Sequence, residues 1–109
     1  MQDRLEALLQ FLEDDPRDAF TRFALAREYQ KRGDFGRALE FFEGLVRDNP
    51  DYVGTYYHLG KLYEQEGRKE EAKERYRRGI AAAQRLRDVH AESELRDALL
   101  QSEGIGFDD

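Results

Sequence analysis

The chain has 109 residues, neither cysteine nor tryptophan, 39% charged residues and a formal net charge of −6. Without cysteine there is no disulfide, no thiolate zinc site and no cysteine nucleophile, and the redox compartment stays undecided. The acidic balance argues against a nucleic-acid binder, which needs a basic footprint to neutralise phosphates. No apolar run approaches the roughly 20 residues of a membrane-spanning helix, and Met1 leads into Gln-Asp-Arg rather than a signal peptide, so a cytoplasmic protein is expected.

Two prolines and the high charge favour helices over a sandwich of short strands. The first expected helix covers residues 2–14, where Leu5, Leu8, Leu9 and Leu12 fall at i, i+3, i+4 and i+7. Asp15-Pro16 stops it. From there the sequence repeats itself at a single offset of 34 residues. Pro16 returns as Pro50, Leu25 as Leu59, Tyr29 as Tyr63, Gly33 as Gly67 and Ala38 as Ala72. Thr21 with Thr55 and Glu40 with Glu74 keep the offset, and Phe42 is answered by Tyr76. Helices are expected over 19–32, 35–48, 52–66 and 69–86, paired as antiparallel hairpins.

The shared residues have physical reasons. Gly33 and Gly67 end apolar-periodic runs, where a helix closes at a positive φ that glycine tolerates. Asp34 offers an oxygen to cap the next helix, and Pro50 cannot continue the one before it. Ala26, Gly60, Ala38, Ala72 and Gly79 are small where two helices approach closely, and Tyr29 and Tyr63 are read as wedges between successive hairpins. Gln84 stands where a third proline would fall, so the helix from 69 runs on toward Arg87. Asp88 caps a last helix over 88–101, with Ala91, Leu95, Ala98 and Leu99 facing inward and Glu92, Glu94, Arg96 and Asp97 facing water. Residues 104–109, Gly-Ile-Gly-Phe-Asp-Asp, read as a flexible tail whose Ile105 and Phe107 could fold back or bind another molecule.

Charge is uneven. Nine basic and five acidic residues fall between Lys61 and Arg87. Two readings stand, a basic face for an acidic partner and, favoured by helical spacing, a solvated face laced with i,i+4 pairs, Glu71 with Arg75 and Glu74 with Arg78. His58 and His90 are the best candidates for acid–base chemistry, but neither stands beside a nucleophile, and no G-x-S-x-G, P-loop or H-E-x-x-H pattern occurs. No catalytic residue, metal ligand or cofactor site is therefore expected.

The 34-residue period carries a known pattern, W-x2-L-G-x2-Y, then A-x3-F, then P. The first copy reads Arg22-x2-Leu25-Ala26-x2-Tyr29, Ala38-x3-Phe42, Pro50; the second reads Tyr56-x2-Leu59-Gly60-x2-Tyr63, Ala72-x3-Tyr76, Gln84. Over about 19–86 the chain resembles the tetratricopeptide repeat (TPR) family. Short bacterial members, with Glu-Leu in the final helix as at Glu94-Leu95, resemble it over its whole length. Arg22 departs from the pattern's bulky apolar residue, which is expected where the first repeat has less above it to pack against.

The resemblance implies an all-α, TPR-like α-solenoid in one domain, 1–103. Two full repeats, about 19–52 and 53–86, would be flanked by an N-terminal helix at 2–14 and a capping helix at 88–101. It also implies a protein–protein interaction scaffold or adaptor, because first helices of such repeats line a concave groove that takes a peptide or helix of a partner. Helical phase then puts Phe20, Phe23, Arg27 and Lys31 of the first repeat and Tyr57, Lys61 and Gln65 of the second in that groove. Cations and an aromatic ring on one surface suit a segment carrying acidic and apolar side chains. Family members that clamp the carboxylates of chaperone tails use Lys, Asn, Asn, Lys and Arg where this chain has Phe23, Arg27, His58, Asp88 and Glu92, so that function is not expected. The alternative is a self-associating module, a homodimer through a capping face.

Overall fold

The computed structural model describes residues 3–104; the tail residues 105–109, with Ile105 and Phe107, and the expected helix start at Gln2 lie outside the described residues. Six helices occur in order: α1 Arg4–Asp14, α2 Ala19–Lys31, α3 Phe35–Asp48, α4 Gly54–Gln65, α5 Lys69–Leu86 and α6 Val89–Glu103. No strand occurs among the described residues. No helix there is long and apolar enough to cross a membrane. The chain divides into two compact units, Met1–Asn49 and Pro50–Asp109.

In the first unit α1 packs on α2 and α2 on α3. Asp3 opens α1 with a capping box, accepting from the Glu6 amide at 2.9 Å while the Glu6 carboxylate accepts from the Asp3 amide. Of the four leucines expected to face inward on α1, Leu8 is buried, Leu5 and Leu12 are half-buried, and Leu9 is 39% exposed. The stripe centres on Leu8, and Leu9 falls off its edge. Phe42, Ala38 and Leu45 of α3 are fully buried, and Phe23 meets the Phe42 ring edge-on at 6.0 Å. Tyr29 stacks on Phe41 of its own hairpin.

Arg22 is not simply an apolar site left open. Its side chain is only 12% exposed, pairs with Asp48 at 3.0 Å, and lies across α3 at Gly44, where a Cβ would stand 2.7 Å from the guanidinium. The guanidinium supplies the bulk that the family pattern draws from an apolar ring, and the ion pair makes its burial tolerable.

The hairpin closures repeat at the level of single hydrogen bonds. In α2 the Asp34 amide donates to the Tyr29 carbonyl at 2.9 Å and the Gly33 amide to Gln30, with Gly33 at φ 82°. In α4 the Arg68 amide donates to Tyr63 at 2.8 Å and the Gly67 amide to Glu64, with Gly67 at φ 77°. Both are Schellman closures. Their next residues differ: Asp34 caps α3 by accepting from the Arg37 amide, whereas Arg68 offers α5 no side-chain cap and instead grips Glu71 at 2.7 Å. Glu71 thus reaches backward to Arg68, and Glu74 meets its neighbour Arg75.

In the second unit α5 packs on α4 and α6, and α6 also touches α4. Two glycines permit this. A Cβ at Gly60 would land on the Tyr76 ring, and one at Gly79 would stand 2.5 Å from the Tyr56 Cβ and 2.9 Å from Leu95. Both rings have polar partners for their hydroxyls: Tyr76 donates to Glu64 at 2.8 Å and Tyr56 to the Pro50 carbonyl at 2.8 Å.

The start of α4 and the end of α6 shift by two residues. α4 starts at Gly54 rather than 52, because a turn in which Thr55 and Tyr56 donate to Tyr52 and Val53 precedes it. α6 runs to Glu103 rather than 101, burying Ser102 before Gly104 closes it at φ 73°. α5 does overrun the missing proline, to Leu86, and ends on Arg87 at φ 59°.

Two substitutions probe this geometry by denaturant unfolding. Gly60→Ala is expected to cost about 1–3 kcal/mol, since a methyl group there displaces a ring with no room to move. Arg87→Gly is expected to stabilise by about 1 kcal/mol, because it removes the left-handed penalty of a side-chain-bearing residue.

Candidate functional site

The first helix of each repeat carries the expected binding residues. On α2, Phe20, Phe23, Arg27 and Lys31 form one stripe at helical spacing. The Asp18 side chain fixes the start of that helix, accepting from the Thr21 amide at 2.9 Å and its hydroxyl at 2.7 Å. Phe20 is 65% exposed and so is not packed away, whereas Phe23 is half-buried against Phe42. Arg27 and Lys31 are exposed.

On α4, Tyr57 and Lys61 come together: the ammonium stands 5.5 Å over the ring. Lys61 is also 3.8 Å from Glu64, whose other oxygen accepts from the buried Tyr76 hydroxyl. Core tyrosine, carboxylate, ammonium and ring thus run in sequence from interior to surface. Burial, with Glu64 beside it, pushes the Tyr76 phenol up, so it stays protonated and remains a donor to Glu64. His58 meets Tyr57 edge-on at 5.5 Å. Gln65 is exposed and lies outside the pocket described next.

Tyr57 and Lys61 form one wall of an open pocket of about 190 Å³, and α6 supplies the other through Glu94, Asp97, Ala98 and Gln101. These four are spaced i, i+3, i+4 and i+7, one face of a helix. The sequence placed Glu94 and Asp97 toward water. They are exposed, but they face the pocket mouth. Their spacing was readable. What the sequence could not supply was the contact of α6 with α4.

A larger hollow of about 310 Å³ in the first unit is lined by Leu12, Pro16, Phe41 and Gly44 with Arg22, Arg47 and Glu40. Both of its guanidiniums are spent on Asp48, at 3.0 and 3.1 Å, which leaves them little to offer a ligand. The positions matching the chaperone-tail clamp in α6 are likewise occupied. Asp88 accepts from the Ala91 amide at 3.0 Å, and Glu92 binds Gln84 and Arg96. His90 is 85% exposed, 3.5 Å from Glu94. Among the described residues no group of three or more His, Asp or Glu side chains could hold a metal ion.

Comparison with known proteins agrees with this geometry. A profile of the tetratricopeptide repeat matches residues 29–93. A TPR repeat-containing protein of Pseudomonas aeruginosa is 31% identical over 91 residues, covering 84% of this chain and 87% of its own. The solution structure of a tetratricopeptide repeat domain protein from Salinibacter ruber is 49% identical, with a TM-score of 0.80 over 87% of this chain and 96% of that one. A protein from Bordetella parapertussis, 27% identical, superimposes with a TM-score of 0.81 over 94% of this chain and 90% of its own. The chain belongs to the tetratricopeptide repeat family. Repeats of this family generally mediate protein–protein interaction on scaffolds that are generally non-catalytic, and the relatives named here are bacterial.

Three carboxylates that cap or brace the helices set an acid limit on the fold. Hydrogen bonds from the Thr21 hydroxyl and amide hold Asp18 below its ordinary value, Arg47 and then Arg22 do so for Asp48, and Arg68 does so for Glu71. Each group binds its proton less readily folded than unfolded. Its contribution is complete above the ordinary carboxylate range and is lost as pH falls through the lowered folded value. Thermal melts are therefore expected to be flat from pH 7 to about 5 and to fall below about pH 4. Asp18→Asn, which keeps a capping oxygen without the charge, should make that fall shallower.

Proposed function

We propose that this chain binds a segment of a partner protein and catalyses nothing itself, with Tyr57 and Lys61 of α4 at the centre of contact. The pocket between α4 and α6 carries the proposal: an aromatic floor, a cation and polar rim groups converge there on an open cavity. Gln65 extends the surface along α4. On α2, Phe20, Phe23, Arg27 and Lys31 offer a second contact stripe, and the exposed Phe20 ring is what a solvated helix has least reason to display. Affinity is expected to be about micromolar, because so short a repeat array offers about half of a standard interface and the ligand loses entropy on ordering. It should weaken with salt, since the charges are solvent-exposed.

Self-association is the second reading, favoured by one observation: Phe11 and Leu9 of α1 are 58% and 39% exposed. A light-scattering concentration series on the native chain and on Phe11→Glu decides it. A mass that rises with concentration only in the native chain would establish the dimer.

The partner-binding reading is tested by capture from extract, followed by titration of the recovered partner. Tyr57→Ala is expected to weaken binding by about 1–2 kcal/mol, and Phe20→Ala with Arg27→Ala by a similar amount. Undiminished affinity in both variants, with helicity intact by circular dichroism, would move the contact off α2 and α4.

A further inference from the structure

The charge of the α4–α6 pocket differs from that of its α4 wall alone. Lys61 is its one cation, against the two carboxylates Glu94 and Asp97. Nor is the ammonium available to both of these, since Glu64 stands 3.8 Å from it and the Tyr57 ring lies beneath it. Glu94 pairs with an exposed imidazole, His90 at 3.5 Å, and Asp97 has no ion pair or hydrogen bond among the described residues. The uncommitted charge at the mouth is therefore negative, while the interior wall offers an aromatic face, the Ala98 methyl and the Gln101 amide.

We propose that this pocket receives a lysine or arginine side chain of the partner segment, with its methylene stem against the Tyr57 ring and Ala98 and its cation between Glu94 and Asp97. This rests on the segment-binding reading above and specifies its chemistry. A long basic side chain matches both halves of the pocket at once, since its stem buries on apolar surface while its head stays hydrated near the rim. The charged head gains hydrogen bonds to two carboxylates, and an arginine plane can also lie on the tyrosine face. An acidic side chain would instead meet like charge at the mouth. The ligand chemistry inferred from the cations of α2 and α4 is thus reversed at this pocket by residues of α6.

The probe is a displayed library of random peptides panned on the full chain, on Glu94→Lys with Asp97→Lys, and on Glu94→Gln with Asp97→Asn. All four substitutions are at exposed positions, and circular dichroism checks the fold. The native chain is expected to enrich peptides sharing a Lys or Arg at one position. Replacing that residue, or neutralising the two carboxylates, should weaken binding roughly tenfold, and charge reversal should abolish the enrichment. Enriched peptides without a shared basic residue, bound equally by the neutral variant, would overturn this inference and leave segment binding standing. Basic peptides bound equally by all three proteins would overturn it too, since that is general attraction to an acidic chain. Failure to enrich any peptide would sink segment binding itself, and this inference with it.

Discussion

Two helices can pack as closely as α4 and α5 do only if one of them omits a side chain where the other presents a ring. At Gly60 the omitted atom is a Cβ, and the ring is that of Tyr76, fully buried with its hydroxyl turned to Glu64. At Gly79 the relation is inverted: α5 supplies the gap and Tyr56 of α4 fills it, with Leu95 of α6 closing in from the other side. This reciprocal exchange fixes the separation of the helices, and α6 depends on it. Because Gly79 admits Leu95, α6 lies close enough to α4 to give Tyr57 and Lys61 a facing wall. Close packing in the interior thus produces a cavity at the surface.

The helices were legible because a shared 34-residue offset ties apolar, glycine and proline positions to one another, and few folds satisfy all of them together. Gly33 and Gly67 adopt the positive φ that their place in the pattern demands, and Asp34 and Asp88 cap as their side chains allow. The differences arise where tertiary contact outweighs a local rule. Arg22 could be recognised as a departure, but its partner Asp48 lies 26 residues away, and nothing in the pattern connects them. Glu71 was expected to pair forward along α5 with Arg75, which does act on it, but its hydrogen-bonded partner is Arg68 in the turn ahead of it.

The candidate site was half legible. Helical phase on α2 and α4 selects a stripe on each, and on α4 it does bring Tyr57 and Lys61 together. The half supplied by α6 is not legible, because an acidic residue on a terminal helix is solvated both on an open face and at a pocket rim, and its spacing is the same in either place. The role of Glu64 is not legible for a different reason. It anchors Lys61 from one side and Tyr76 from the other, and only the folded chain shows that one carboxylate serves both. The charge a ligand meets is therefore a property of the assembled pocket, not of either helix.

The junction between α5 and α6 is two residues long, and Asp88 works in both directions. Its amide closes α5 on the Ala83 carbonyl at 2.9 Å, while its carboxylate opens α6 by accepting from the Ala91 amide. There is no slack between the end of one helix and the start of the next. A swing of the α6 wall would unwind a helix end, so the fold itself sets the shape of the cavity. A segment docking there, as proposed, would cost the chain little freedom of its own, and most of the ordering cost would fall on that segment.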